Sequence, residues 1–137
     1  MNNCYPKSDE QLRMAREYFS KVDAGDASLL GVAIFSKVWH RTHGKADFLQ
    51  LIQGLTIVVA RFVHDESLMV FTQSGNRHVV EGIESGFLTD GRPFPAGSRS
   101  EGRYCNVFEF RGNLISRMHI HADPDLAGQH NDLFPWN

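Results

Sequence analysis

Residues 103–124 constrain this chain more than any other stretch, because they alternate with period two along two successive arms joined by a turn. On the first arm Tyr104, Asn106, Phe108 and Phe110 hold the even positions; on the second Leu114, Met118, Ile120 and Ala122 do, interrupted by Ser116. The odd positions of the second arm include Arg117, His119, His121 and Asp123. Side chains alternate across a strand, so the even set is the buried face of a long β-hairpin. Keeping even opposite even calls for a three-residue turn at Arg111, Gly112 and Asn113, with the glycine or the asparagine at positive φ. Asn106 then points into an aromatic, apolar interior, where a carboxamide needs a partner or a ligand.

A chain of 137 residues suits one domain with a real core, and nothing in it reads as a linker, so residues 1–137 form a single domain. It has no apolar run long enough for a membrane and no signal-type segment at residues 1–6. Cys4 and Cys105 lack metal-type spacing and predict a reducing, cytoplasmic setting. A net charge of −2 with scattered basic residues argues against a nucleic-acid partner. No dinucleotide-type glycine pattern or phosphate loop occurs.

The first third reads as helix. Ser8 with Gln11 makes a capping-box signature, followed by Leu12, Ala15, Tyr18, Phe19 and Val22 at helical spacing up to Gly25. Asp26 caps a second segment, and residues 29–35, apolar on nearly every side, predict a short buried helix. Residues 45–60 predict a third, although the β-branched run Thr56, Ile57, Val58, Val59 lets the strand begin early. Residues 62–73 and 78–88 then flank a hairpin turn at Ser74, Gly75, Asn76 and Arg77, and residues 89–93 turn out of it. Helices first and antiparallel strands afterwards predict an α+β domain, its helices packed on one face of a curved sheet.

Several of these pieces resemble a known family: residues 18–26 of the first helix, Val38-Trp39-His40, Val80-Glu81-Gly82, residues 90–94, and residues 106–110 with the hairpin that follows. In order and spacing, over almost the whole chain, they are similar to the SnoaL-like branch of the nuclear transport factor two superfamily, which includes ketosteroid isomerases and polyketide cyclases. The resemblance implies a cone, a strongly bent antiparallel sheet wrapped around helices (a cystatin-like fold), with an apolar pocket inside and a homodimer through the outer sheet face. It does not imply one activity, because such a scaffold hosts enzymes and binders alike.

Comparison with the ketosteroid isomerases matches their helix tyrosine to Tyr18 and their hairpin acid to Asn106, and brings their general-base aspartate near His40. Asn106 can donate a hydrogen bond to a carbonyl or oxyanion but cannot ionise. His40 can move protons near neutral pH, or it is a structural histidine. The resemblance also turns Glu81 inward, into a pocket with Leu68, Val70, Val79 and Ile83 where burial would raise its pKa and suit it to acid–base work. Met69, Phe71, Val80 and Leu88 make an equally good core on the opposite face, which leaves Glu84 as the alternative. Tyr18, Phe108, Met118 and Ile120 are the expected ligand contacts, each otherwise a core residue. His64 either lines the pocket mouth or is solvated beside Asp65 and Glu66.

His119, His121 and Asp123 share a face as metal ligands would, but that face points away from the core and no metal site is expected. Cys105 shares the outward parity and lacks a base, so it is not a nucleophile. The terminal Phe134-Pro135-Trp136 is expected to anchor the tail. These readings combine into a cofactor-independent isomerase, dehydratase or cyclase that moves protons on a small apolar carbonyl compound, with Tyr18 and Asn106 as donors and His40 or Glu81 as base. The competing reading is a non-catalytic ligand-binding homodimer of the same fold.

Overall fold

The computed structural model describes residues 8–26, 36–38, 40–41, 44–96, 100–123, 125 and 127–129. The expected buried helix at residues 29–35 and the terminal anchor at Phe134-Pro135-Trp136 lie outside the described residues.

Helix α1 (Ser8–Ala24) turns Ala15, Tyr18 and Phe19 onto one buried stripe, as residues three and four apart must be. Gln11 does not serve a cap. Its Nε2 donates to the Gly112 carbonyl at 3.1 Å and its Oε1 lies 3.0 Å from His78 Nε2, so the first turn of α1 is tied to the sheet instead. The helix ends where Gly25 adopts φ +62°, with Gly25 N–H donating to the Val22 carbonyl and Asp26 N–H to the Lys21 carbonyl. That pair of bonds is a Schellman ending, which needs a residue at ease in the left-handed region. After β1 (Ser36–Val38) and β2 (His40–Arg41), helix α2 (Gly44–Val58) carries the inward-facing Phe48 and passes without a loop into β3 (Val59–His64). Thr56, Ile57 and Val58 therefore stay helical, and the strand starts at Val59.

The strand expected over 62–73 is two strands. Asp65 caps a 3-10 turn at Glu66–Leu68 by accepting from Ser67 N–H at 2.9 Å, and β4 (Val70–Ser74) follows. Both β3 and β4 pair antiparallel with the twelve-residue β5 (Arg77–Leu88), which also pairs with β6 (Pro93–Phe94) and β7 (Arg103–Arg111). The hairpin partner β8 (Leu114–Ala122) pairs with β7 and, in parallel, with β1, giving the order β2-β1-β8-β7-β5-β3. The result is an α+β fold in which a strongly curled, mainly antiparallel sheet wraps two helices. Among the described residues no helix is long and apolar enough to cross a membrane.

In the long hairpin, Asn106 pairs with Ile120 and Phe108 with Met118, all four on the concave face as the alternation requires. The way even meets even differs from expectation. The turn has two residues, Gly112 at φ +63° and Asn113, and the register is restored by a bulge: Glu109 faces Arg117 but Phe110 faces Ile115. Ser116 is the extra residue, and its hydroxyl donates to the Glu109 carbonyl at 3.0 Å, satisfying an acceptor that the bulge takes out of the ladder. Below the bulge the parity flips, so Ile115 is fully buried and Leu114, expected inside, is 47% exposed. Ile115 joins Ala15, Phe19, Phe48, Val80, Phe108 and Met118 in the core. Ile115→Ala is expected to cost about 2–5 kcal/mol in urea unfolding and Leu114→Ala less than about 1 kcal/mol; equal costs would place the bulge elsewhere.

Candidate functional site

The even residues of β5 face inward, and they change character along the strand: His78 and Val80 lie in the packed core, Gly82 is covered by the Tyr104 ring, and Glu84 lines a cavity of about 400 Å³. Its apolar wall includes Tyr18, Phe48, Leu51, Ile52, Phe62 and Ile120. Polar side chains break that wall, and five of them, Asp23, His64, Glu84, Tyr104 and Asn106, bear on the chemistry; Lys21, Asp26, Thr56, Arg61 and Asp123 also line it.

Three of the five form a chain. Strand pairing sets His64 opposite Glu84, and His64 Nε2 lies 3.4 Å from Glu84 Oε2. On its other side His64 meets Asp23, whose carboxylate accepts from the His64 backbone N–H at 2.8 Å and from its ring Nδ1. Asp23 stands in the last turn of α1, where the helix macrodipole disfavours an anion, so the pairing offsets an otherwise misplaced charge. The imidazole and the Glu84 carboxylate are both more than nine-tenths buried. Burial would lower the His64 pKa, but hydrogen bonds to Glu84 and Asp23, with their charges, carry it above the ordinary 6.5. Rings of Phe19, Phe62 and Tyr104 pack around it with centroids at 5.0, 6.0 and 5.1 Å.

Tyr104 reaches this chain because of a glycine. It pairs with Gly82, and a Cβ built at Gly82 would lie 2.6 Å from the Tyr104 hydroxyl, so the phenol occupies the space a side chain would fill. The hydroxyl is buried and has no hydrogen-bond partner among the described residues. Burial and the charges of Glu84 and Asp23 push its pKa well above the usual 10, and burial with Glu84 does the same for Tyr18, so both remain protonated donors. Asn106, 3% exposed, also lines the cavity. Its Nδ2 approaches only Met118 Sδ, at 4.0 Å, and its Oδ1 is buried without a partner.

No sequence-family model matches the chain, and no curated protein sequence does. Solved structures do match it in shape. An NTF2-like protein of unknown function from Burkholderia pseudomallei superposes with a TM-score of 0.66 at 19% identity, over 89% of this chain and 95% of that one. A candidate polyketide cyclase from Pseudomonas putida gives 0.67 at 16% identity, over 85% and 94%. TerC, co-crystallised with polyporic acid, gives 0.68 at 13% identity, over 89% and 96%. The fold is NTF2-like. Likeness at these identities carries the architecture and leaves the chemistry to the site itself.

Within this NTF2-like cone the expected site residues separate. Tyr18, Asn106, Ile120 and His64 line the cavity. His64 is a buried partner of two carboxylates rather than a solvated side chain, because the strand breaks immediately after it and leaves its ring inside. Phe108 and Met118 do not line the cavity; both are wholly buried in the packed core. Glu81 faces outward and is exposed, since Gly82 and Glu84 hold the inward parity of β5, and the alternative carboxylate, Glu84, is the inner one. Leu68, Val70 and Ile83 do line a depression together with Glu81 as expected, but it lies on the outer side, where Leu68 and Val70 are exposed. His40 lies in β2 by its backbone, but its side chain is outside the described ones. His119 and His121 have the outward parity, and among the described residues no three His, Cys, Asp or Glu side chains are grouped to hold a metal. Burial and Glu81 raise the Cys105 pKa, which keeps it a thiol. Asp23 and Tyr104 were not singled out as site residues from the sequence; an anion at a helix C-terminus and a glycine inside a β-branched strand were the available signals.

His64 and His78 should affect stability with opposite sign. A His64 pKa raised on folding contributes stability that is full below 6.5 and is lost as pH rises through its folded value. Burial lowers the His78 pKa, so its contribution is full above 6.5 and is lost as pH falls toward its folded value. Melting temperatures followed from about pH 5 to 9 should show the alkaline loss vanish in His64→Gln and the acid loss shrink in His78→Gln. A His64 ring that titrates below 6.5 by NMR would contradict this assignment.

Proposed function

We propose that this protein is a cofactor-independent proton-transfer enzyme, of the isomerase, dehydratase or cyclase type, acting on a small, mostly apolar carbonyl compound. The observation that carries the reading is the buried Asp23–His64–Glu84 chain at the wall of an apolar cavity, beside a buried Tyr104 hydroxyl that has no hydrogen-bond partner among the described residues. The Glu84 carboxylate takes a proton from the carbon next to the substrate carbonyl, and the C–H electron pair moves to form the enolate. Tyr104 donates its hydrogen bond to the oxygen where negative charge develops, with Tyr18 as a second donor. A donor already in place there costs no reorganisation during the reaction. His64, held by Asp23, orients Glu84 and balances its charge, as the third member of a catalytic constellation does. The proton then returns from Glu84 to a different carbon or to a leaving group. Asn106 also lines the cavity, and because its Nδ2 makes a single contact, to Met118 Sδ at 4.0 Å, it keeps an amide N–H that can serve as a further donor to the same oxygen.

The fold neighbours support this class: one is named a candidate polyketide cyclase and another was co-crystallised with polyporic acid. The apolar wall fits a small apolar substrate, and a free Cys105 fits the cytoplasm. Exchange of the α-hydrogens of a bound ketone, followed by NMR in deuterated water, tests the chemistry without knowledge of the product. Glu84→Gln should lower exchange by at least about 10², Tyr104→Phe should cost about 10²–10³, and Tyr18→Phe should act in the same direction. Exchange that is undiminished in Glu84→Gln would end the assignment of the base, and no exchange with any bound ketone would leave a ligand-binding protein.

The same reading includes a homodimer through the outer sheet face. That face exposes Val70 at 58% beside the half-buried Val79, Ile83 and Val107, an apolar surface that a two-fold partner would cover. Light scattering at micromolar concentration should give twice the chain mass, and Val70→Asp should halve it; a monomer in both would leave the face solvated.

A further inference from the structure

The cavity is open on one side. Gly25 and Asp26, just after α1, and Leu55 and Thr56, near the end of α2, line it and are also exposed, so a mouth lies between the C-terminal ends of the two helices. The Glu84 carboxylate and the His64 ring, by contrast, are more than nine-tenths buried. A ligand whose carbonyl reaches Glu84 therefore sends the rest of its body back toward the mouth. There the helix surface is not polar, as a solvent-facing side ordinarily is. Phe48, Ile52, Leu55 and Val58 recur three or four residues apart, which stacks them in one row along α2. Phe48 is 1% exposed, Leu55 38% and Val58 58%, and the first three of the row line the cavity. The row thus carries the apolar wall out of the cavity and onto the surface. Ile57 is more exposed still, but it stands two residues from Leu55 and outside the row.

We infer that the ligand is an elongated carbonyl compound of the alkyl-ketone class, whose apolar tail leaves the cavity along Ile52, Leu55 and Val58. The inference rests on the proposed proton-transfer reading for the position of the carbonyl, and deepens it by naming the substrate class. Val58 is then a specificity-determining residue that touches the tail and not the reacting atoms. Each methylene removed from water contributes roughly a fourfold gain in affinity, and the row offers that gain to the part of the chain that the cavity does not enclose. A compact ketone stays inside and never meets Val58.

Binding of 2-dodecanone and of 2-adamantanone to the full chain, titrated by NMR, tests the inference without any turnover. One probe is extended and the other compact, and the unmodified protein should bind both. Val58→Asp should weaken 2-dodecanone by at least about tenfold, the loss of about two buried methylenes, and 2-adamantanone by less than about twofold. Val58→Leu, which keeps the row apolar, should bind 2-dodecanone as the unmodified protein does, and Ile57→Asp should leave both affinities within about twofold. The retained 2-adamantanone site shows that Val58→Asp is folded, and a general loss of structure would not spare one probe. Binding of neither probe, of 2-adamantanone alone, or an equal loss of both in Val58→Asp would overturn the inference, as would an Ile57→Asp effect equal to that of Val58→Asp. Val58→Asp that lowers the mass seen by light scattering, with 2-dodecanone affinity unchanged, would give the row to a second copy of the chain and overturn it too. Failure of ketone exchange alongside the expected split between the probes would instead count against catalysis and leave the tail site standing.

Discussion

A carboxylate buried in an apolar sheet face is costly unless a counter-charge is buried with it. In this chain that constraint falls on Glu84, and the group buried against it is the His64 imidazole, whose other ring nitrogen meets Asp23. The three groups come from β5, β3 and the end of α1, so the contacts that make the carboxylate tolerable also fasten the helix to the curled sheet. Fold and site are stabilised by one set of contacts. The Gln11 contacts to His78 and Gly112 do the same at the other end of α1, with neutral partners and away from the cavity.

The cavity exists because the core is filled unevenly along β5 and β7. Towards the hairpin turn, Phe108, Phe110, Ile115 and Met118 pack against α1 and leave little space. Towards the other end of the same strands the inward positions are Gly82, Tyr104, Ala122 and Glu84, smaller or polar, and the cavity opens there. This distribution of side-chain size leaves a mostly apolar pocket with a few oriented polar groups, the setting that the proposed proton transfer requires.

Much of the fold was legible in the sequence because burial writes a period of two or of 3.6 into it. The long hairpin, its concave face and the Gly75–Asn76 turn follow from that periodicity. The Ser116 bulge does not, because a single extra residue preserves alternation on either side of itself and shifts the register between them; Ser116 registered only as an interruption. The face of β5 was ambiguous for a physical reason. Val79 and Ile83 on the outer side are as apolar as Val80 and Leu88 on the inner side, so hydrophobicity alone could not choose between Glu81 and Glu84. Contacts such as His64 with Asp23, 41 residues apart, leave no periodic trace at all. Tyr104 was placed correctly as a buried residue, but its role depends on Gly82 across the strand pair, which only the register reveals.

The central claim is that Glu84 does chemistry in a state set by His64. Following the His64 ring signals by NMR and the α-hydrogen exchange rate of a bound ketone on the same sample, across the same pH range, tests it most directly. The account predicts that the two curves share one midpoint, above the ordinary 6.5 of a free histidine. A His64 that titrates with no effect on exchange, or two unrelated midpoints, would contradict it.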